Sequence, residues 1–335
     1  MKSSAIAHSN IALIKYWGRS PEHDPNLNIA LNDTVSMTKY GLTGGIHLRT
    51  HTTIEFSAEY DRNTVIVEGQ EITGRHLERI IWVINHLRAL VKIDYKFKMV
   101  SQNDFPTQAG LASSASAFAA LAVAAANALG LKFSREDLSK IARLGSGSAA
   151  RSIHGGFIYC HKGNSHETSY AEQICSGDCF DMNAIIAIVD SGKKEITSDE
   201  GHQLAHTSPF NEIRIQKSQQ QAEEIRKLIL ENEFDAIGRI AEANCLYMHS
   251  VMMTSQPSLF YWQPITLNII KTIQKLRKEG LPCYFTIDAG PNVHCLCQSK
   301  NLHELQQIIK KIEGVKQTIL VRPADGAYVT KEHLF

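Results

Sequence analysis

The sequence has almost no net charge: 35 Lys and Arg stand against 34 Asp and Glu, a formal +1 over 335 residues. No global field therefore draws the chain to nucleic acid or to an anionic membrane, and any anion site has to be local. Nine Pro and 21 Gly are too few for collagen-like or Pro-rich disordered architecture. No repeat or low-complexity tract interrupts the chain. The seven cysteines are odd in number, irregularly spaced, without a Cys-x-x-Cys pair and without a secretory signal before them. That pattern predicts reduced thiols in a cytoplasmic protein, and it disfavours a zinc site built from Cys160, His161, His166, Cys175 and Cys179. The run 105–131 carries no charge, but it is mostly Ala, Ser and Gly with Gln108 and Asn127 inside it. Alanine contributes little apolar area, so this run predicts a buried helix rather than a membrane span.

What is present is an ordinary globular composition, 43% hydrophobic and 21% charged. At this length two domains are the default. Strands are expected at 52–58 and 63–68, joined as a hairpin by the turn-rich 59–62, and again near 95–100. Helical periodicity covers 77–90. Ser134-Arg-Glu-Asp137 has a capping-box pattern, opening a helix that stops near Gly145. Gly155-Gly156 leads into a strand at 157–161, and the polar stretch 162–181 is read as a connection between domains. Beyond it come a strand at 184–190, helices near 211–232, 234–253 and 262–279, strands at 283–288 and 293–298, a helix at 302–312 and a strand at 317–321. The expected class is α+β, with domains 1–180 and 181–335.

The most informative segment is 104–116, Asp104-Phe-Pro-Thr-Gln-Ala-Gly-Leu-Ala-Ser-Ser-Ala-Ser116. A strand enters it, Pro106 and Gly110 shape a loop, and a long helix leaves it. Backbone N–H groups at a helix start, with the positive end of the dipole behind them, form an anion site. Ser113 and Ser114 add hydroxyls for phosphate oxygens or a metal. No Gly-Lys-Ser/Thr follows, so it is not a Walker A loop. Local composition fits equally well a Gly-Leu-Ala turn that packs a small-residue helix against a sheet.

Pro106-x-x-x-Gly110-Leu-Ala-Ser113-Ser114-Ala115 resembles the phosphate loop of the GHMP small-molecule kinase superfamily. Within it the resemblance sharpens to the mevalonate diphosphate decarboxylases. Four segments carry it: Asn10-Ile-Ala-Leu-Ile-Lys15-Tyr16-Trp17-Gly18, the loop itself, Gly145-Ser146-Gly147-Ser148-Ala-Ala-Arg151-Ser152, and Asp288-Ala-Gly-Pro-Asn292. The resemblance implies an N-terminal ribosomal-protein-like domain, a C-terminal α/β sandwich and an active-site cleft between them. It implies ATP, Mg2+ and mevalonate 5-diphosphate as ligands, and a homodimer, with no nucleic-acid or membrane partner.

The implied reaction phosphorylates a tertiary alcohol with ATP, then releases phosphate and carbon dioxide to give isopentenyl diphosphate. Phosphoryl transfer asks for alignment, charge neutralisation and a carboxylate to take the hydroxyl proton. Asp288 matches the family's catalytic aspartate, although an Asp before Ala-Gly-Pro is also a common turn former. Lys15 lies in an otherwise apolar strand, where a buried ammonium needs an anionic partner; the resemblance has it orient Asp288 and keep it ionised. Arg151 matches the residue that binds the substrate carboxylate, and guanidinium suits bidentate contact with such a group. Tyr16, Trp17, Arg19, Ser146 and Ser148 match substrate contacts, with Arg79 preferred over Arg75 as a further arginine. Pro106, Gly110, Leu111, Ala112, Ser113 and Ser114 match ATP contacts, with Ser114 as the candidate magnesium ligand.

Some residues depart from the family pattern. Arg19 replaces a usual Lys, Ser116 and Ala117 alter the end of the loop, and Ala150 replaces a common Cys. Asp33 falls where a Ser is usual, and it would either repel a phosphate or join magnesium coordination. The competing expectations are a same-fold decarboxylase of mevalonate monophosphate, a 3-kinase that stops before decarboxylation, another superfamily kinase, and a non-catalytic binding protein.

Overall fold

The computed structural model describes residues 1–105, 113–189 and 196–335. Three sheets organise them. The six-stranded sheet runs Tyr328–Thr330, Lys2–His8, Arg49–Ser57, Lys96–Asn103, Thr64–Val67, Gln70–Glu71 in spatial order. Helices Gly74–Val91, Ser113–Ala128 and Arg135–Gly145 share one apolar core with it. The Ser113–Ala128 helix is buried along most of its length, and its small side chains let it lie close against the strands Lys2–His8 and Arg49–Ser57. No helix among the described residues is long and apolar enough to cross a membrane.

The four-stranded sheet orders Ala171–Cys175, Phe157–Cys160, Thr34–Thr38 and Asn10–Ile14. The five-stranded sheet orders Tyr284–Thr286, Val293–Cys297, Asn183–Ile188, Gln317–Arg322 and Tyr40–Gly41. The Asn183–Ile188 strand is buried on both faces. Ala184, Ile186 and Ile188 enter a core shared with the four-stranded sheet and helices Asn211–Glu231 and Phe234–Thr254. Ile185 and Ala187 point the other way, into a core with helices Pro264–Lys278 and Leu302–Lys310; period-two alternation sorts them. Two edge strands change sides: Tyr40–Gly41 from the N-terminal part completes the five-stranded sheet, and Tyr328–Thr330 completes the six-stranded one.

The architecture is α+β with two domains, as expected, and most elements fall where periodicity puts them. Ser134 caps its helix as expected, its hydroxyl accepting from the Asp137 N–H at 3.0 Å. Three expectations need correction. The two strands flanking 59–62 do not pair as a hairpin, because Lys96–Asn103 lies between them. The hairpin forms one turn later, where Glu68 and Gly69 take φ of 50° and 77° and join Thr64–Val67 to Gln70–Glu71; two positive-φ residues give the turn twist that strand pairs favour. The presumed connection 162–181 contains the strand Ala171–Cys175, paired with Phe157–Cys160. And the thiols are not all reduced: a register shift at Gln173/Cys175 and the following turn bring Cys175 to Cys179, Cα atoms 6.1 Å apart, in a disulfide. The other five cysteines are free and buried. His161 is held by Glu172 at 3.1 Å, and no metal-holding group of three or more His, Cys, Asp or Glu occurs among the described residues.

Candidate active site

A cavity of about 570 Å³ opens beside the strand Asn10–Ile14, many charged and hydroxyl side chains among its lining. It is lined by every expected site residue that is described: Lys15, Tyr16, Trp17, Arg19, Arg79, Ser113, Ser114, Ser146, Ser148, Arg151 and Asp288. Pro106, Gly110, Leu111 and Ala112 lie outside the described residues.

Lys15 reaches this cavity through a break in strand alternation. Asn10 and Ala12 face the cavity, while Ile11 and Leu13 face the core. The pairing register then shifts between Ala12 and Ile14, so Ile14 also enters the core. Lys15 is thereby returned to the cavity side, the usual effect of one extra residue in a strand. Its Nζ donates to Asp288 Oδ1 at 2.7 Å. Asp288 follows the strand Tyr284–Thr286, and its backbone carbonyl accepts from the Gly290 N–H at 2.7 Å. The Lys15 side chain is 1% exposed and that of Asp288 33%, so the pair presents its carboxylate, not its ammonium, to the cavity. Burial pushes the Asp288 carboxyl up. The Lys15 ammonium outweighs that and, with His294 and Lys39 nearby, brings it down to about 2.

Behind this pair sit two residues that sequence reasoning missed. Lys39 is fully buried, and its Nζ lies 3.3 Å from His294 Nε2. Burial lowers the Lys39 pKa to about 8 despite the Asp288 charge, and burial drives that of His294 well below its ordinary value. Neither residue belongs to a motif, so only the fold reveals them.

Arg151 lies in the 3-10 turn Gly147–Ser152, where the Arg135–Gly145 helix ends. It is 3% exposed; its Nε and Nη1 donate to Asn10 Oδ1 at 3.4 Å and Thr34 Oγ1 at 3.1 Å. Both acceptors are neutral, and no carboxylate pairs with it among the described residues. A buried cation in that condition calls for an anion. Ser146 and Ser148 hydroxyls lie 3.2 Å apart, and Ser114 lies 3.4 Å from Ser146. Gly147 is required here: a Cβ would come within 2.5 Å of the Tyr16 ring.

Tyr16 and Trp17 pack around His202, with ring centroids 4.5 and 4.7 Å away. His202 Nδ1 accepts from the Gly18 N–H at 3.0 Å, and burial keeps the imidazole neutral. Arg79 donates to the Gly145 carbonyl and lies over the Phe118 ring. Arg75 also lines the cavity, so both arginines weighed from sequence reach it. Between Arg19 and Arg75 stands Asp199. It pairs with Arg19 through Oδ1, and with Arg75 through Oδ2 at 2.8 Å. Asp199 and His202 belong to a short helix, Ser198–Leu204, absent from the expected elements. A signal for it existed: Thr197 and Glu200 form a capping box, readable as Thr-x-x-Glu.

The departures also find their places. Asp33 does not line the cavity. It is buried and accepts from Tyr159 at 2.7 Å, Gln219 at 2.6 Å and the Lys162 N–H at 2.7 Å. Ser116 is buried too, bonded to Thr50 at 2.7 Å and donating to the Ser113 carbonyl at 3.2 Å. Both are structural. Ala150 packs with Ile158, Cys160 and Ala171.

Comparisons with known proteins agree along the chain. Residues 7–171 match the family described as diphosphomevalonate decarboxylase-like N-terminal domain, and residues 184–329 the mevalonate 5-diphosphate decarboxylase C-terminal domain. The phosphomevalonate decarboxylase of Haloferax volcanii is 31% identical, over 92% of this chain and 92% of its own. The diphosphomevalonate decarboxylase of Saccharomyces cerevisiae is 33% identical, over 93% of this chain and 82% of its own. The solved structure of MDDEF in complex with MVAPP, AMPPCP and magnesium superposes with a TM-score of 0.90 at 34% identity, covering 99% of both chains.

Proposed function

Since the chain belongs to the diphosphomevalonate decarboxylase family, we propose that its cavity binds mevalonate 5-diphosphate beside ATP and converts it to isopentenyl diphosphate, ADP, phosphate and carbon dioxide. The protein is an ATP-dependent carboxy-lyase of the mevalonate pathway. The observation that carries the residue assignment is the Lys15–Asp288 pair, which shares one cavity with an Arg151 that pairs with no carboxylate among the described residues.

Asp288 stays ionised and accepts the proton of the substrate's tertiary hydroxyl as that oxygen bonds to the γ-phosphorus of ATP and ADP leaves. Phosphate then departs with the carbon–oxygen bond. The bond to the carboxylate supplies the electron pair of the new double bond as carbon dioxide leaves. Arg151 holds that carboxylate in the correct orientation, which converts binding into alignment. Ser113 and Ser114, at the start of a sixteen-residue helix, donate toward ATP oxygens. Magnesium, when bound, offsets repulsion between the two phosphate-rich substrates. Its preference for one or two protein oxygens plus phosphates fits serine hydroxyls and a carboxylate better than a cage of acidic residues. Division of the chain at about residue 180 and a homodimer belong to the same reading. So does a cytoplasmic location.

Mevalonate 5-phosphate is the second reading of the substrate, and one observation favours it: the Asp199 carboxylate already holds Arg19 and Arg75. The test is release of ADP and carbon dioxide with magnesium ATP, the two esters side by side. Equal ADP and carbon dioxide from the diphosphate is the expected result; ADP without carbon dioxide would leave a kinase. In the same assay, Arg151→Gln is expected to lower kcat/KM by roughly 10²-fold, the usual cost of truncating one partner of a buried charge contact. Its thermal melt should hold, because no internal carboxylate is stranded. A collapsed melt would make Arg151 structural instead.

A further inference from the structure

Besides Asp288, the cavity holds another anion of the protein's own beside its arginines, Asp199. Arg19, Arg75 and Arg79 contribute three guanidiniums there. Asp199 answers two of them, with its side chain only 19% exposed. The carboxylate is not a surface charge that happens to lie near. It sits on the first turn of the helix Ser198–Leu204, whose capping box fixes it: Thr197 accepts from the Glu200 N–H, and Glu200 accepts from the Thr197 N–H at 2.8 Å. Glu200 also lines the cavity but is spent on that cap.

We propose that Asp199 is a specificity-determining residue: its carboxylate substitutes for part of the phosphate charge in this pocket and penalises each further negative charge that a phosphate ester brings. The proposal deepens the decarboxylase reading and rests on it for the identity of the esters. The physics is charge balance. Three guanidiniums against the Asp199 and Glu200 carboxylates leave one positive charge. A phosphate monoester carries about −1.5 to −2 at neutral pH and a diphosphate ester about one charge more. The pocket therefore offsets the larger part of the first and a smaller part of the second. Like charges brought close disfavour the more charged ligand, and Arg19, whose buried Nε has no hydrogen-bond partner among the described residues, has donor capacity left after Asp199 is served. An Asn at 199 keeps the size of the side chain and an oxygen for one arginine while removing the charge.

The experiment compares wild type with Asp199→Asn. kcat/KM is measured for mevalonate 5-diphosphate and mevalonate 5-phosphate. Calorimetric affinities for inorganic pyrophosphate and inorganic phosphate are measured with ADP present. The variant is expected to raise the diphosphate-to-monophosphate ratio of kcat/KM about tenfold, the effect of one nearby charge in a partly screened site. The pyrophosphate-to-phosphate affinity ratio should move the same way. Equal changes for both esters, with both ratios unmoved, would reduce Asp199 to a structural ion-pair partner and overturn the proposal. If wild type releases carbon dioxide from neither ester, the decarboxylase reading fails. The inorganic anions still decide Asp199: an unmoved ratio overturns its role and a tenfold rise supports it.

Discussion

Asp288→Asn is expected to lower kcat by roughly 10²- to 10⁴-fold, the range that a positioned proton acceptor supplies. Nucleotide affinity should hold, because Ser113, Ser114 and the helix behind them are untouched. The substitution preserves an oxygen at 2.7 Å from Lys15 Nζ, so the buried ammonium keeps a hydrogen-bond acceptor and the fold persists. What is lost is the basic electron pair. Single-turnover measurement of ADP formation locates the effect: the phosphoryl-transfer step itself slows, with kcat and kcat/KM falling together, as when an interaction belongs to the transition state. Near-wild-type turnover would remove Asp288 from the reaction.

The second large effect concerns Lys15. Lys15→Met keeps the length of the side chain but withdraws the ammonium that outweighs burial at Asp288. In the native protein the folded carboxyl titrates at about 2, below its ordinary value of 3.8, so Asp288 is ionised throughout the working range. Without Lys15, burial dominates and the carboxyl titrates higher. Since the ionised form is the base, activity is lost from the acid side: kcat climbs with pH across roughly pH 4 to 7 instead of staying level, and its plateau drops by about 10² or more. The buried Lys39 and His294 remain, and their proximity limits the shift. A variant with reduced activity but a level profile would show that Lys15 only packs.

The sequence makes the local chemistry legible where residues that act together are neighbours in the chain. Lys15-Tyr16-Trp17, Ser146-Gly-Ser148 and Arg151 each announce themselves as a charge or hydroxyl in an otherwise apolar or glycine-rich setting. What the sequence does not carry is their juxtaposition. Lys15 and Asp288 are 273 positions apart, and only the resemblance linked them beforehand. Nor does it carry the shift in register after Ala12 that aims Lys15 at the cavity; strict alternation from Asn10 would put Ile14 there. Asp33 shows the opposite error. A carboxylate inside a segment usually rich in hydroxyls invites a ligand role, yet Tyr159 and Gln219, far off in the chain, satisfy it internally. Asp199 was hidden for a different reason. Its helix is only seven residues long, too short for periodicity to register, although the capping box was in view. The 52–68 hairpin failed on non-local pairing, since no local pattern says that a third strand will slip between two neighbours.

The exchanged edge strands bear on how the molecule moves. The Tyr40–Gly41 strand is zipped to Gln317–Arg322, and Tyr328–Thr330 to Lys2–His8. Each part of the chain thus finishes a sheet belonging mainly to the other, like two clasped hands. A wide hinge opening would unzip both edges at once and bare unpaired backbone groups to solvent. Ligand entry is therefore expected to leave both edge pairings intact, their backbone amides staying protected from hydrogen exchange when ligands bind. The same clasp is expected to couple the stabilities of the two parts, so that a thermal melt followed by two probes gives one coincident transition.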